Sequence, residues 1–325
     1  MGTEHQSTFD PYAFLEISPN LDGTITRHTT IPVIPASLDP DPKNASLSRD
    51  VPLDPDRATW IRLYLPNRSQ PSDHPRKKLP LIVYFHGGGF VILSAATSIN
   101  HYFSSLLAAE LDAVVASVEY RLAPEHRLPA AYDDAMDSLR WLDSSDDEWI
   151  REYADLSQCY LMGSSAGSNM AYHVGLRASA GNGKDHARLR IKGLILHHPF
   201  FGGSKRTASE VRLSDTGTLP MTAIDLMWEL ALPAGVGFNH EYCNPTAGDI
   251  SEGFKRIRSK GWRVMVTGGG EDPMVDRQKE LAEKLTESGV EVVASFVEED
   301  SHCIELFHGI KAAAFIKKIK SFMCN

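Results

Sequence analysis

Apolar residues along the chain gather into short, nearly continuous runs separated by stretches with helical spacing, and this alternation begins at Leu79. The runs are Leu81–Phe85, Val114–Val118, Cys159–Met162, Leu194–Leu196, Val264–Val266 and Val290–Val293. A strand with one wet face would alternate, so runs apolar on both faces predict strands covered by helices on both sides. The spacing between them predicts helices over 101–111, 130–142 after Pro129, 166–180, 274–288 and 308–322. Strand then helix, repeated, is the signature of an α/β fold on a mostly parallel, doubly wound sheet.

Outside this rhythm the pattern differs. Residues 1–58 are rich in Pro, Asp and Ser with only short apolar pieces such as Tyr12–Leu15, which predicts an arm that packs on a core made elsewhere and forms part of a cap. Ile61, Leu63 and Leu65 alternate as a half-buried strand, and the polar turn over 66–78 suggests an antiparallel pairing with the run that follows. Between Pro199 and Trp262 the alternation stops, and residues 200–262, with the apolar cluster Ile224–Leu230, are expected to form a helical cap inserted over a site. There is no internal repeat or low-complexity tract, so residues 1–325 are expected to fold as a single domain.

Composition narrows the function classes. A chain 42% hydrophobic and 23% charged has the apolar material for a sizeable core. Its formal charge of -9 disfavours nucleic acid and anionic membranes as partners, since both select basic surfaces. Glu4, Asp10 and Glu16 interrupt the start of the chain, which does not read as a signal or transit peptide, and no apolar run approaches the ~18 residues of a membrane span. Cys159, Cys243, Cys303 and Cys324 show no C-x-x-C spacing and suit a reducing compartment. A cytoplasmic location is therefore expected, and the sequons at Asn44 and Asn67 read as chance matches. The sequence does not separate a monomer from a weak dimer.

The candidate chemistry starts at Gly163-Ser164-Ser165-Ala166-Gly167, directly after one apolar run and directly before a helical pattern. A serine on so sharp a strand-to-helix turn needs small neighbours, and the helix start beneath it favours negative charge. His86-Gly87-Gly88-Gly89 follows the run ending at Phe85, where unhindered backbone amides can approach a tetrahedral oxyanion. With the amide of Ala166 these glycines make a candidate oxyanion hole, and no Lys-Ser/Thr pair follows to suggest a phosphate loop.

A serine hydroxyl needs a base. Of thirteen histidines only His302 and His308 follow the last apolar run, where the order Ser, Asp/Glu, His places the base; His302 comes first, and His308 opens the final helix. The orienting carboxylate should follow Val264–Val266, which leaves Glu271, Asp272 and Asp276. Asp272, extended before Pro273 at the strand's end, is chosen over Asp276, a turn inside the helix. The expected pocket walls include Phe90, Ser164, Met221, Trp228 and Leu232. An acyl transfer run by these groups needs no metal or organic cofactor, and its partner is a small-molecule ester.

Several longer stretches are specific: Tyr84–Phe90, Tyr120–Glu125, Leu128–Ala135, Pro199–Gly203, Trp228–Pro233 and Asp272–Gln278. Through them nearly the whole chain resembles the plant carboxylesterases of the hormone-sensitive-lipase group, which implies an α/β-hydrolase fold and hydrolysis of short-acyl esters. The resemblance carries nucleophile, acid and base onto Ser165, Asp272 and His302, and oxyanion donors onto Gly88, Gly89 and Ala166, with Gly87 shaping the turn. It implies a bracing role for Tyr120–Glu125. Ser164 stands where this group usually has Asp or Glu, Ser168 where Gly or Ala is common, and Ser301 where an aromatic residue is usual. Dehydratases, cyclases and hormone receptors share the fold, but their altered sites differ from the complete Ser, Asp and His set kept here.

Overall fold

The computed structural model describes residues 9–41, 44–67, 77–181, 187–215 and 218–324. Glu4, most of the polar turn over 66–78 and the Arg68-Ser69 half of the second sequon lie outside these residues. In chain order the elements are α1 (Pro11–Phe14), β1 (Ile17–Pro19), β2 (Ile25–Arg27), β3 (Ser46–Asp54), β4 (Thr59–Pro66), β5 (Leu79–Phe85), α2 (Ser98–Leu111) and β6 (Val114–Glu119). There follow α3 (Ala130–Ser144), α4 (Glu148–Tyr153), β7 (Ala154–Ser164), α5 (Ala166–Ala180), β8 (Ile191–His197), α6 (Ala208–Arg212), α7 (Met221–Ala231) and α8 (Ser251–Ser259). The chain continues with β9 (Arg263–Glu271), α9 (Val275–Glu287), β10 (Glu291–Ser301) and α10 (Gly309–Cys324).

Eight strands form one sheet in the order β10-β9-β8-β7-β5-β6-β4-β3. Strands β5 to β10 run parallel, whereas β4 is antiparallel to both its neighbours. The six apolar runs fall on strands of this sheet, Val290 alone standing one residue before β10. Leu81, Val83 and Phe85 pack into a core with residues of α3, α5, α8 and α9, while Ile82 and Tyr84 face Phe103 and Leu107 of α2 and Phe315 and Ile319 of α10. Both faces are covered, which is why the strands carry apolar residues at successive positions. The strand order reverses between β5 and β7, so the loops leaving these two strands diverge and open a crevice at the sheet's carboxyl edge.

Three expectations change. Strand β4 is buried on both faces and pairs with β3 and β6, not with β5, because β6 returns between them. The arm is not peripheral throughout: β3 closes the sheet's edge, and only its mixed polar sequence, with Arg49, Asp50 and Pro52, hid it. At the other edge β10 is largely half-buried or exposed, since it pairs only with β9. Within residues 200–262, α7 contacts α1 of the arm, whereas α8 packs on α5 of the body.

Candidate active site

Strand β7 delivers Ser165 to the crevice in a left-handed turn, φ 56° and ψ -119°, directly at the start of α5. The two flanking glycines are required by contact. A methyl group on Gly163 would lie 2.0 Å from the Gly167 carbonyl oxygen, and one on Gly167 would lie 1.9 Å from that of Phe85. The turn is held by the Ser165 amide donating to His197 O at 2.9 Å and by its carbonyl accepting from Ser168, Asn169 and Phe200. Ser165 keeps only 8% of its surface exposed.

The three residues remote in sequence converge. His302 Nε2 lies 2.9 Å from Ser165 Oγ, and His302 Nδ1 lies 2.7 Å from Asp272 Oδ2. Asp272 is fully buried and also accepts from Gln278 Nε2 at 2.8 Å, from His198 Nδ1 at 3.0 Å and, through Oδ1, from the Met274 amide at 3.0 Å. The rejected carboxylates lie elsewhere: Glu271 is exposed beside Arg212, and Asp276 accepts from the Ser209 amide. Burial works against the charge on Asp272, but His302 and His198 hold its carboxyl far below the ordinary range. Burial likewise works against a proton on His302, yet the Asp272 carboxylate and the Cys303 sulfur outweigh it and hold its pKa well above the ordinary value.

Across the crevice the loop after β5 adopts conformations open to glycine, with φ 110° at Gly88 and 60° at Gly89. A methyl on Gly87 would lie 3.3 Å from Ser165 Cβ, so this residue sets how closely the loop approaches the serine. Among the described residues no hydrogen bond engages the amides of Gly88 or Gly89, and Ala166, as the first residue of α5, has a free amide by position. His86 Nδ1 donates to Gly87 O at 2.8 Å, while the His86 carbonyl accepts from Tyr120 Oη at 2.8 Å. Arg27 adds Nε to Val91 O at 2.6 Å and Nη2 to Ala123 O at 2.7 Å, and pairs with Glu125.

The expected pocket walls are placed differently. Ser164 points to the opposite face of the sheet, where its Oγ accepts from Tyr84 Oη at 3.0 Å and meets His197 Nδ1 at 2.8 Å. A residue one position from the elbow serine falls on the other side of the strand, which explains the correction. Phe90, Met221, Trp228 and Leu232 are at most 4% exposed and belong to the core, with Phe90 against Phe200 and Trp228. The side chain that comes closest to Gly89 is Met227. Ser168 is buried, its hydroxyl without a partner among the described residues, and Ser301 ends β10 beside Glu271. A hollow of about 440 Å³ bordered by Arg190, Lys192, Lys260 and Trp262 is lined by none of these residues.

Residues that the sequence did not reveal surround the triad from below. His198 ends the loop side of β8 in a left-handed conformation and lies with its Nε2 3.4 Å from Glu305 Oε2, which is also 3.1 Å from His197 Nε2. His197 links Ser164 Oγ, 2.8 Å from its Nδ1, to Glu305 Oε2, 3.1 Å from its Nε2. Cys303 borders His197 and His302, and although burial opposes ionisation, those two rings bring its thiol down to about 6. His198 and His302 both commit Nδ1 to Asp272. The pair His197-His198 at a strand's carboxyl end, next to the strand that carries Asp272, was the available signal.

Such an arrangement can remove a proton from a serine hydroxyl, stabilise the resulting imidazolium and offer amide donors to an oxyanion. Residues 82–306 match the family model described as the alpha/beta hydrolase fold, and the chain belongs to that family. It is 47% identical to Carboxylesterase 20 of Arabidopsis thaliana over 97% of this chain and 96% of that protein. It is 40% identical to 3-O-acetylpapaveroxine carboxylesterase CXE1 of Papaver somniferum over 97% and 98% of the two chains. An esterase of Pyrobaculum calidifontis superposes with a TM-score of 0.70 over 90% of this chain and 86% of that one, at 24% identity, a likeness that speaks for the fold. Within the family the chain groups with plant carboxylesterases and is a carboxylic ester hydrolase. No helix among the described residues is long and apolar enough to cross a membrane.

Proposed function

We propose that the chain is a serine carboxylesterase that hydrolyses short-acyl esters of small molecules, acetylated secondary metabolites among them, through an acyl-enzyme on Ser165. The observation that carries this reading is the continuous contact from Ser165 Oγ through both ring nitrogens of His302 to Asp272. Ser165 Oγ attacks the ester carbonyl carbon while His302 Nε2 takes its proton. The oxyanion rests on the amides of Gly88, Gly89 and Ala166, each worth about 3 kcal/mol to the transition state. His302 then protonates the departing alcohol, and a water deprotonated by the same ring cleaves the acyl-serine to release the acid. Asp272 fixes the tautomer and stabilises the imidazolium. No step calls on a metal or organic cofactor.

The acetyl preference draws on the relative named for an acetylated alkaloid and on the tight approach of Met227 to Gly89, which limits room beside the oxyanion loop. Contact between α1 and α7 supports reading the arm and part of residues 200–262 as a cap on one domain. The free thiols fit a cytoplasmic setting.

Ser165→Ala is expected to fold as the parent does and to lose about 1,000-fold or more of its turnover of p-nitrophenyl acetate. A panel of esters from acetate to octanoate, read for a burst of alcohol, should show turnover falling as the acyl chain lengthens. Retention of most activity by the alanine variant would remove Ser165 from its role, and binding of the esters without any released alcohol would favour a sensor.

A further inference from the structure

The Asp272 carboxylate serves two imidazoles at one oxygen: Oδ2 is 2.7 Å from His302 Nδ1 and 3.0 Å from His198 Nδ1. The far nitrogen of His198 faces a second carboxylate, with Nε2 3.4 Å from Glu305 Oε2. A ring whose two nitrogens both face carboxylates keeps a proton on each, and the three groups are buried, His198 completely.

We infer that His198 is a positioning residue held as a cation between Asp272 and Glu305, where it offsets part of the Asp272 charge and so weakens the hold of His302 on its proton. The inference rests on the reading of Ser165, His302 and Asp272 as a catalytic triad. A buried carboxylate strengthens the hold of a neighbouring imidazole on its proton, and a nearby cation weakens it. The rings of His198 and His302 lie perpendicular with centroids 5.6 Å apart, close enough for one charge to oppose the other. The ionisable groups around His198 are Asp272 from the β9 loop, His197 from β8, and His302, Cys303 and Glu305 from the segment after β10; Gln278 of α9 is neutral. Burial lowers the affinity of His198 for a proton, but its hydrogen bond to Asp272 and the nearby Glu305 carboxylate prevail and raise its pKa to about 9.

The test replaces the cation by a neutral donor of similar reach. His198→Asn and His198→Gln keep an amide N–H for Asp272 and remove the charge, so His302 should bind its proton more strongly. The acid limb of kcat/KM for p-nitrophenyl acetate is expected to move to higher pH by roughly one to two units. Activity on the alkaline plateau should stay within about tenfold of the parent. An acid limb that stays in place in a variant with unchanged melting temperature would leave His198 a purely structural residue and overturn the inference. Should neither variant fold, ring nitrogen NMR of the parent protein decides: a buried histidine protonated at both nitrogens at pH 8 is expected, and the absence of any such ring overturns the proposal. Ser165→Ala separates the two readings, because an inactive alanine variant with an unshifted His198 variant sinks only this inference.

Discussion

Gly88 adopts a φ of 110°, and a methyl group placed on it would lie 2.1 Å from the Ile92 carbonyl oxygen. That oxygen belongs to the same tight loop, in which the Gly88 carbonyl accepts from Val91 and Ile92, so the loop cannot yield without turning its amides. Gly88→Ala is therefore expected to lower kcat/KM by about 100-fold or more, the worth of one oxyanion donor, as measured with p-nitrophenyl acetate. At this scale the sequence was most informative. The convergence of Ser165, Asp272 and His302 was legible because the motif around the serine demands a known turn and because chain order limits the candidate acid and base to short windows. Ser164 was misread, since its neighbour's role says nothing about which side of the strand it faces. The pair His197-His198 was the one signal for His198, and Glu305 gave none, because their partners come from different loops.

At the scale of elements, β2 reaches across to the loop after β5 through a single side chain. Arg27 donates to Val91 O and Ala123 O and pairs with Glu125, whose Oε1 also accepts from the Ile25 amide. Arg27→Ala should lose about 1–3 kcal/mol of stability, a drop of a few degrees in Tm. It should lower kcat/KM several-fold by loosening the loop that carries Gly88 and Gly89, while the neighbouring core residues keep their places. A Tm loss with unchanged kinetics would confine β2 to a bracing role. The parallel strands were legible from their unbroken apolar runs. Strand β3 and the partners of β4 were not, because an edge strand needs few apolar residues and because pairing depends on a return strand, β6, more than fifty residues later in the chain.

For the whole molecule, several buried groups titrate away from their ordinary values and together shape stability against pH. Burial depresses the pKa of His86 to about 4 and that of His173 to about 3, while His197 and His198 hold Glu305 below the usual range and His302 and His198 do so for Asp272. A depressed group contributes stability above its unfolded pKa and loses it as pH falls toward the folded value. His198, raised to about 9, contributes fully below its unfolded value and loses that contribution as pH rises through 9. The melting temperature is thus expected to peak at about pH 6.5 and to decline on both sides, more steeply toward acid, in a calorimetric series from pH 4 to 9. A melting temperature that climbs steadily from pH 6.5 to 9 would contradict the charge assigned to His198.

The placement of β10 has a further consequence. This strand pairs with β9 alone, at the rim of the sheet, and the segment it releases carries His302 and Glu305. During synthesis the seven other strands of the sheet, and with them the elbow bearing Ser165, leave the ribosome earlier. On the proposed mechanism the nascent chain holds a nucleophile with no base until this rim strand docks, so hydrolytic competence arrives only after β10 and the segment behind it have emerged.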